Sequence, residues 1–80
     1  MEGKPMTFGE KAVGLSFNPS GDDAVHKLKS LYAQIIDILH DARDDQQISA
    51  SQEKKRLYSI AITEAQGAQM WAVKAATWGY

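Results

Sequence analysis

The sequence predicts an all-α protein: an antiparallel two-helix hairpin that follows an irregular N-terminal arm and assembles into a compact homo-oligomer. Two segments, 22–46 and about 51–77, repeat apolar residues at steps of three and four, which is the spacing of one helix face. A short polar break, 47–52, joins them, and helices joined so closely lie antiparallel. We therefore expect a single domain, with the arm and its turn at 1–21 and the helical hairpin at 22–80.

The composition excludes several classes of protein. The 80 residues contain no cysteine, so neither a disulfide nor a thiolate metal site stabilises the fold. Nine Lys and Arg residues against ten Asp and Glu residues give a net charge of −1, whereas a protein that tracks DNA is normally basic. No apolar run is long enough for a membrane span or for the core of a signal peptide. We expect a cytoplasmic protein that has neither DNA nor a membrane as a partner.

The arm holds the most unusual stretch of the chain, Gly-Leu-Ser-Phe-Asn-Pro-Ser-Gly at 14–21. The stretch ends just before a predicted helix start, where unpaired N–H groups favour an anion. Phe17 supplies a flat apolar face, and Asn18 supplies both a donor and an acceptor, the chemistry that reads the edge of a base. Together these features fit a nucleotide. The competing interpretation is an Asn-Pro turn in which Phe17 plugs the core of the hairpin.

The first helix follows Ser20, and Ser20 with Asp23 three residues later looks like a capping box. Lys27 and Lys29 lie in the second turn of this helix, and because they are two residues apart they face different directions. One of them therefore reaches a ligand phosphate while the other is solvated, and Lys11 is free in the arm. For each lysine taken alone, a plain surface charge is the competing interpretation.

The second helix begins at Ser49 or Ser51, and only the Ser49–Gln52 pair makes a good capping box. One of its faces carries small residues, which permit close helix packing, and two tryptophans one heptad apart. Its apolar residues point in more directions than one seam can cover, which indicates that the helix packs against copies of itself. The alternative is that the arm folds back over the extra face. The predicted oligomer interface is Ala61, Ala65, Ala68, Trp71, Ala72, Ala75 and Trp78.

No catalytic or metal-binding constellation is recognisable. His26 and His40 lie about 21 Å apart on one helix, too far to share a metal ion. Asp37, Asp41 and Asp45 repeat every four residues, which is more typical of a solvated acidic helix end than of a cation site. No nucleophile, base and orienting third group are arranged together. We therefore expect neither an enzyme nor a cofactor nor a metal site.

Two pieces of the sequence resemble a known family. They are Phe-Gly-Glu-Lys-Ala-Val-Gly-Leu-Ser-Phe-Asn-Pro-Ser-Gly at 8–21 and Met-Trp-Ala-Val-Lys-Ala at 70–75. The pattern looks like the helical-hairpin domain of phage anti-CBASS and anti-Thoeris cyclic-nucleotide sponge proteins, and it covers roughly 8–78. The resemblance implies a phage anti-defence protein that acts in the host bacterial cytoplasm.

The resemblance also implies binding without cleavage. Proteins of this family sequester the cyclic oligonucleotides that activate CBASS effectors, and they assemble as oligomers, commonly hexamers. They hold cyclic dinucleotides such as cGAMP between protomers, and some hold cyclic trinucleotides at a separate site. The matching residues are Phe17, which would stack on a base, and Lys29, which would meet a phosphate; Phe8 is the rival aromatic. The candidate ligand-binding residues are Phe17, Asn18, Ser20, Lys29, Phe8, Lys11 and Lys27.

Two further hypotheses stay open beside this one. The first is an oligomeric helical-hairpin module that docks a host protein through Trp71 and Trp78 or through the Asp-rich tip. The second is an enzyme that degrades the same signals, which the lack of a nucleophile or metal cluster argues against.

Overall fold

The computed structural model describes residues 4–79 and is helical throughout, without strands in that range. Its helices are α1 (Phe8–Val13), α2 (Asp23–Asp44) and α3 (Gln52–Ala76). The all-α prediction is confirmed, and α2 and α3 pack along each other as a hairpin. Within the described range, no helix is both long and apolar enough to cross a membrane. Residues 1–3 of the predicted arm and Tyr80 of the predicted hairpin lie outside that range.

The prediction of an irregular arm is wrong over 8–13, where the chain forms α1. The helix starts with a capping box: the Glu10 N–H donates to Thr7 Oγ1 at 3.1 Å, and the Thr7 N–H donates to Glu10 Oε1 at 2.9 Å. It ends at Gly14, whose φ of 63° is the left-handed conformation that glycine adopts without strain. Because an isolated helix of this length is unstable in water, packing against α2 must stabilise it.

α1 docks on α2 through a close backbone approach at Gly9. The Gly9 N–H donates to Asp37 Oδ1 at 2.7 Å, and a Cβ atom at Gly9 would lie 2.1 Å from the Ala33 carbonyl oxygen. Only glycine therefore fits this position. Beside it, the ring of Phe8 stacks on His40 with centroids 4.2 Å apart and an interplanar angle of 12°. These contacts set the position of the chain that follows α1.

The N-cap of α2 is Asp22, and the predicted capping role of Ser20 is wrong. Asp22 Oδ1 accepts a hydrogen bond from the Ala24 N–H at 2.7 Å. Gly21, with a φ of 65°, bends the chain between Ser20 and the helix. The Ser20 hydroxyl consequently accepts from the Asp22 N–H at 3.1 Å, before the helix begins.

Ser51, the alternative cap, starts α3, and its hydroxyl accepts from the Lys54 N–H at 3.1 Å. The preferred Ser49–Gln52 box is wrong, because Ser49 bonds to α2 instead. Ser49 is fully buried, and its hydroxyl donates to the Ala42 carbonyl at 2.8 Å. Ser49 therefore completes the end of α2, while Ser51 opens α3.

The three helices form a flat layer. Its extents are 45 × 38 × 12 Å, and the short axis is about the diameter of one helix. The radius of gyration, 14.3 Å, exceeds the roughly 12 Å of a compact chain of this length. The accessible surface, 5871 Å², exceeds the roughly 4,800 Å² of a compact monomer of this mass. The layer therefore leaves both of its broad faces open. The buried apolar residues are Val13, Val25, Ala33, Ile36 and Ile62.

α3 divides its apolar residues between two sides. Ile62 is buried in the core with Ile36 of α2, and Ala65 packs against that core. Farther along, Trp71 on the helix is 72% exposed and Trp78, just beyond its end, is 59% exposed, so the described part of the arm does not cover this apolar face. Of the predicted interface, Ala68, Trp71, Ala75 and Trp78 are exposed, whereas Ala61, Ala65 and Ala72 are half-buried.

Candidate functional site

The turn at 14–22 joins α1 to α2 and lies at the end of the hairpin where α3 ends. We call this the open end; the closed end is the α2–α3 connection at 45–51. In the turn, the Phe17 N–H donates to the Gly14 carbonyl at 2.9 Å, and the Gly21 N–H donates to the Asn18 carbonyl at 3.1 Å. These bonds make the turn a compact structure with a defined shape.

Three polar side chains hold the second half of the turn. The Ser20 hydroxyl donates to Asn18 Oδ1 at 2.8 Å, and Asn18 Nδ2 donates to the Asp22 carbonyl at 3.0 Å. The Asp22 carboxylate caps the helix and places a negative charge where the sequence indicated an anion site. That part of the prediction is wrong, because the N-terminus of α2 already bonds a carboxylate. Asn18 and Ser20 bond within the turn.

Lys29 reaches the first half of the turn from α2. The residue is only 6% exposed, and its Nζ donates to the Gly14 carbonyl at 3.0 Å and to the Phe17 carbonyl. No carboxylate of residues 4–79 forms an ion pair with it. Because lysine is almost never buried without an opposite charge, this ammonium is an unusual feature of the fold.

Phe17 projects outward from the same turn. The residue is 70% exposed, and Lys29 Nζ lies 5.5 Å from the centroid of its ring. The alternative in which Phe17 plugs the hairpin core is therefore wrong. A flat aromatic face beside a cation is open to a planar ligand.

A cavity of about 260 Å³ opens between the turn and the C-terminal end of α3. Four of its residues were not among the candidates from the sequence: Pro19 and Val25, and, at the end of α3, Val73 and Thr77. For the two α3 residues the signal was available, because an antiparallel hairpin places the last turn of α3 beside the first turn of α2. The candidate residues Phe17, Asn18, Ser20 and Lys29 line the cavity together with Pro19, Val25, Val73 and Thr77.

The other candidate residues lie outside this cavity. Lys11 and Lys27 are exposed, and neither lines it. Phe8 is 40% exposed but stacks on His40, and the guanidinium carbon of Arg43 lies 5.9 Å from the centroid of its ring. The structure thus uses Phe8 in the packing of α1.

The groups that line the cavity define what it can contact. Among the described residues, neither a carboxylate nor an imidazole side chain lines it. Over 4–79, no group of three or more His, Cys, Asp or Glu residues could hold a metal ion. The cavity offers a buried cation, an exposed aromatic face, and amide and hydroxyl groups that already bond within the turn. This set suits a planar anion.

Comparison with known proteins places this geometry in a family. The family model described as Acb2/Tad1, hairpin domain, matches residues 10–77, which include the turn, α2 and α3. Comparisons with curated proteins and with solved structures found no significant match. The family resemblance seen in the sequence is confirmed. The chain therefore belongs to the Acb2/Tad1 hairpin-domain family, a family of phage anti-defence sponge proteins.

Proposed function

We propose that this chain binds and sequesters cyclic oligonucleotide second messengers without cleaving them, and thereby blocks CBASS immunity in the host bacterial cytoplasm. Its ligands are cyclic dinucleotides of the cGAMP type, with cyclic trinucleotides as a second ligand class. It acts as a homo-oligomer, a hexamer, and neither DNA nor a membrane is a partner. Membership of the family supports the proposal, and the open end supplies the physical reason.

The observation that carries the proposal is the buried ammonium of Lys29. It donates to two backbone carbonyls but has no ion-pair partner among residues 4–79. A phosphate in the adjoining cavity would supply the missing negative charge, and a hydrogen bond to a charged group contributes about 1.5–3 kcal/mol. A buried cation beside an open cavity fits an anionic ligand better than a purely structural role.

Phe17 supports a ligand that also carries a base. Its exposed ring lies 5.5 Å from the ammonium, so one nucleotide unit can meet both groups. A base that stacks on an aromatic side chain gains about 1–3 kcal/mol. Stacking and phosphate contact together favour a nucleotide over a simple inorganic anion.

The size of the cavity supports a site that two copies share. Its volume, about 260 Å³, is below the roughly 300–1,000 Å³ of typical ligand pockets. One protomer therefore encloses only part of a cyclic dinucleotide, a ligand with two bases and two phosphates. A second copy that presents the same pair, Phe17 and Lys29, would complete a symmetric site.

The flat shape of the protomer supports assembly. Met70, Trp71 and Trp78 are each more than half exposed on α3 or just beyond it, and monomeric proteins rarely expose large contiguous apolar patches. Ala68→Glu, one turn before Trp71, should dissociate the oligomer because it buries an unpaired charge. Gln52→Glu adds the same charge at the exposed start of α3 and should leave the assembly intact.

Light scattering measures the mass of both variants and of the unaltered protein. The expected result is an oligomer for the unaltered protein and for Gln52→Glu, and a smaller species for Ala68→Glu. A mass near 8.8 kDa for the unaltered protein at micromolar concentration would contradict the proposed assembly.

Calorimetry with a cyclic dinucleotide tests binding, and ligand recovered from heat-denatured protein tests cleavage. We expect nanomolar affinity, about −12 kcal/mol, and intact recovered ligand. The linear dinucleotide of the same bases is the control, and it should bind more weakly because it loses more conformational freedom on binding. Recovery of cleaved ligand would instead indicate an enzyme.

The exposed tryptophans favour a second candidate function, an oligomeric module that docks a host protein. Lys74 Nζ lies 5.6 Å from the ring of Trp71 and 5.9 Å from the ring of Trp78, and tryptophan is enriched in binding hot spots. A protein that assembles normally but binds no cyclic nucleotide in calorimetry would favour this second function.

A further inference from the structure

The backbone of Phe17 makes two hydrogen bonds. Its N–H donates to the Gly14 carbonyl at 2.9 Å, and its carbonyl accepts from Lys29 Nζ. The side-chain bonds of Asn18 and Ser20 all lie after it in the chain. Among the described residues, Lys29 is therefore the one side chain that hydrogen-bonds to the backbone of Phe17.

Lys29 also spans the first half of the turn. The same Nζ donates to the Gly14 carbonyl at 3.0 Å, so one ammonium links the residue that ends α1 to the residue that carries the exposed ring. The burial of Lys29 fixes its stem. An ammonium has three N–H donors, and because the two carbonyls use two of them, one remains for an acceptor in the cavity that Lys29 lines.

We infer that Lys29 is a positioning residue for Phe17: by holding the Phe17 carbonyl, it sets the direction in which the exposed ring projects. Without Lys29, the backbone of Phe17 keeps only its bond to Gly14. The consequence of this inference for ligand affinity rests on the proposed function. The positioning itself is a property of the free protein and can be tested without a ligand.

This role makes the contributions of Lys29 and Phe17 to ligand affinity depend on each other. If Lys29 contributed only a charge, its loss would weaken binding by the same factor whatever residue stood at position 17. Because Lys29 also holds the ring in place, its loss removes most of the benefit of the ring. The effects of Lys29→Met and Phe17→Leu on affinity are therefore expected to be non-additive.

Amide hydrogen exchange of the free protein tests the positioning. Lys29→Met keeps the apolar stem and removes the donors, so the Phe17 amide should exchange about tenfold faster while α2 and α3 keep their protection. Lys29→Arg restores charge and donors and should return most of the protection. Lys27→Met removes the same charge from an exposed position and is the matched control. Equal exchange at Phe17 in Lys29→Met and Lys27→Met would overturn the inference.

A second neutral variant covers the case in which Lys29→Met does not fold. Lys29→Gln retains a shorter donor, and Lys27→Gln is then its control. Faster exchange at Phe17 in Lys29→Gln than in Lys27→Gln supports the positioning role, and equal exchange overturns it.

A double-mutant cycle, measured by calorimetry with a cyclic dinucleotide, tests the coupling. Phe17→Leu should weaken binding about tenfold in the unaltered background and about twofold in the Lys29→Met background. The same factor in both backgrounds would overturn the coupling. If the unaltered protein binds no cyclic dinucleotide, the proposed function fails, while the exchange experiment still decides whether Lys29 positions Phe17.

Discussion

A buried polar side chain lies at each end of the α2–α3 hairpin, but the two side chains, Ser49 and Lys29, differ in charge. At the closed end, the neutral hydroxyl of Ser49 is fully buried and donates to the Ala42 carbonyl at 2.8 Å. At the open end, Lys29 is 6% exposed, and its ammonium donates to two carbonyls of the turn. Only the open end therefore buries a cation that has no ion pair among residues 4–79.

This difference distinguishes a structural end from a candidate binding end. A buried hydroxyl with a hydrogen-bond partner is an ordinary feature of a stable fold. An ammonium removed from water without an opposite charge costs several kcal/mol. Proteins depart from local rules of stability mainly at functional sites. We therefore regard the closed end as scaffold and the open end as the candidate site.

Gly9→Ala is expected to have the largest effect, and it should break the open end alone. The new Cβ would lie 2.1 Å from the Ala33 carbonyl oxygen, so α1 must leave its position on α2. The free energy of unfolding should fall by about 3 kcal/mol in chemical denaturation. Hydrogen exchange should show lost protection at 14–22 and retained protection at 45–51.

The control for this experiment is Lys11→Ala, an exposed position on the same helix. It should change the free energy of unfolding by less than about 0.5 kcal/mol. Equal stability of the two variants would contradict the close approach of α1 to α2.

Phe17→Ala and Phe8→Ala form a matched pair: Phe17 lies in the turn at the open end, whereas Phe8 packs on α2 toward the closed end. Phe17→Ala should weaken cyclic-dinucleotide binding by about 1–3 kcal/mol and barely change the melting temperature, because the ring is exposed. Phe8→Ala should lower the free energy of unfolding by about 1–2 kcal/mol with little change in affinity, because its ring stacks on His40. Calorimetry and thermal melts measure both. A destabilised Phe17→Ala with unchanged affinity would move the stacking role to Phe8.

Ser49→Ala perturbs the closed end. It removes the donor that bonds the Ala42 carbonyl, near the C-terminus of α2 where carbonyls lack helical partners. The free energy of unfolding should fall by about 1–2 kcal/mol, with ligand affinity unchanged. Ser16→Ala, an exposed position in the turn, is the control and should change stability by less than about 0.5 kcal/mol. Weaker ligand binding by folded Ser49→Ala would show that the two ends are not separate.

Glu53, just after the closed end, gives the smallest expected effect. Hydrogen bonds from Arg56 at 2.6 Å and 2.9 Å hold the pKa of the Glu53 carboxyl below its ordinary value. A carboxyl whose pKa is depressed in the folded state adds stability above its unfolded pKa, and this contribution is lost as the pH falls through the folded pKa. Because both side chains of the pair are exposed to solvent, the melting temperature should not change measurably.

An NMR titration of the Glu53 carboxyl measures this effect directly. Arg56→Gln should raise the midpoint of the titration toward the ordinary value of a glutamate. An unchanged midpoint would mean that the ion pair does not form in solution.

The long helices could be predicted to within two residues, because their apolar periods persist over many turns. α1 was missed because six residues are too few to show a period, although Thr7 and Glu10 have the spacing of a capping box. The cap of α2 depends on a single backbone angle. Gly21 adopts a positive φ, and this moves the capping role from Ser20 to Asp22.

The candidate site was less accessible to sequence reasoning. The helical period does not show whether Lys27 or Lys29 contacts a ligand phosphate. Lys29 is buried because the turn folds over α2, and this contact is visible only in the structure. The carbonyls that Lys29 bonds lie 12 and 15 positions away, which no local pattern encodes. Val73 could have been identified as a cavity residue from the antiparallel pairing of the two long helices, which was predicted. Contacts that depend on α1 could not be foreseen once α1 was missed.

The thickness of the layer also governs how a protomer responds to temperature. The heat-capacity change of unfolding scales with the surface that unfolding exposes. A layer only 12 Å thick hides less surface than a globular chain of equal length, so this change should fall below the usual roughly 12–15 cal/mol/K per residue. The unfolding enthalpy falls together with the buried surface, and because a small enthalpy broadens a thermal transition, a lone protomer would melt over a wide temperature range. Each copy that covers a face would sharpen the transition, so the calorimetric width of melting reports how much of the layer is covered.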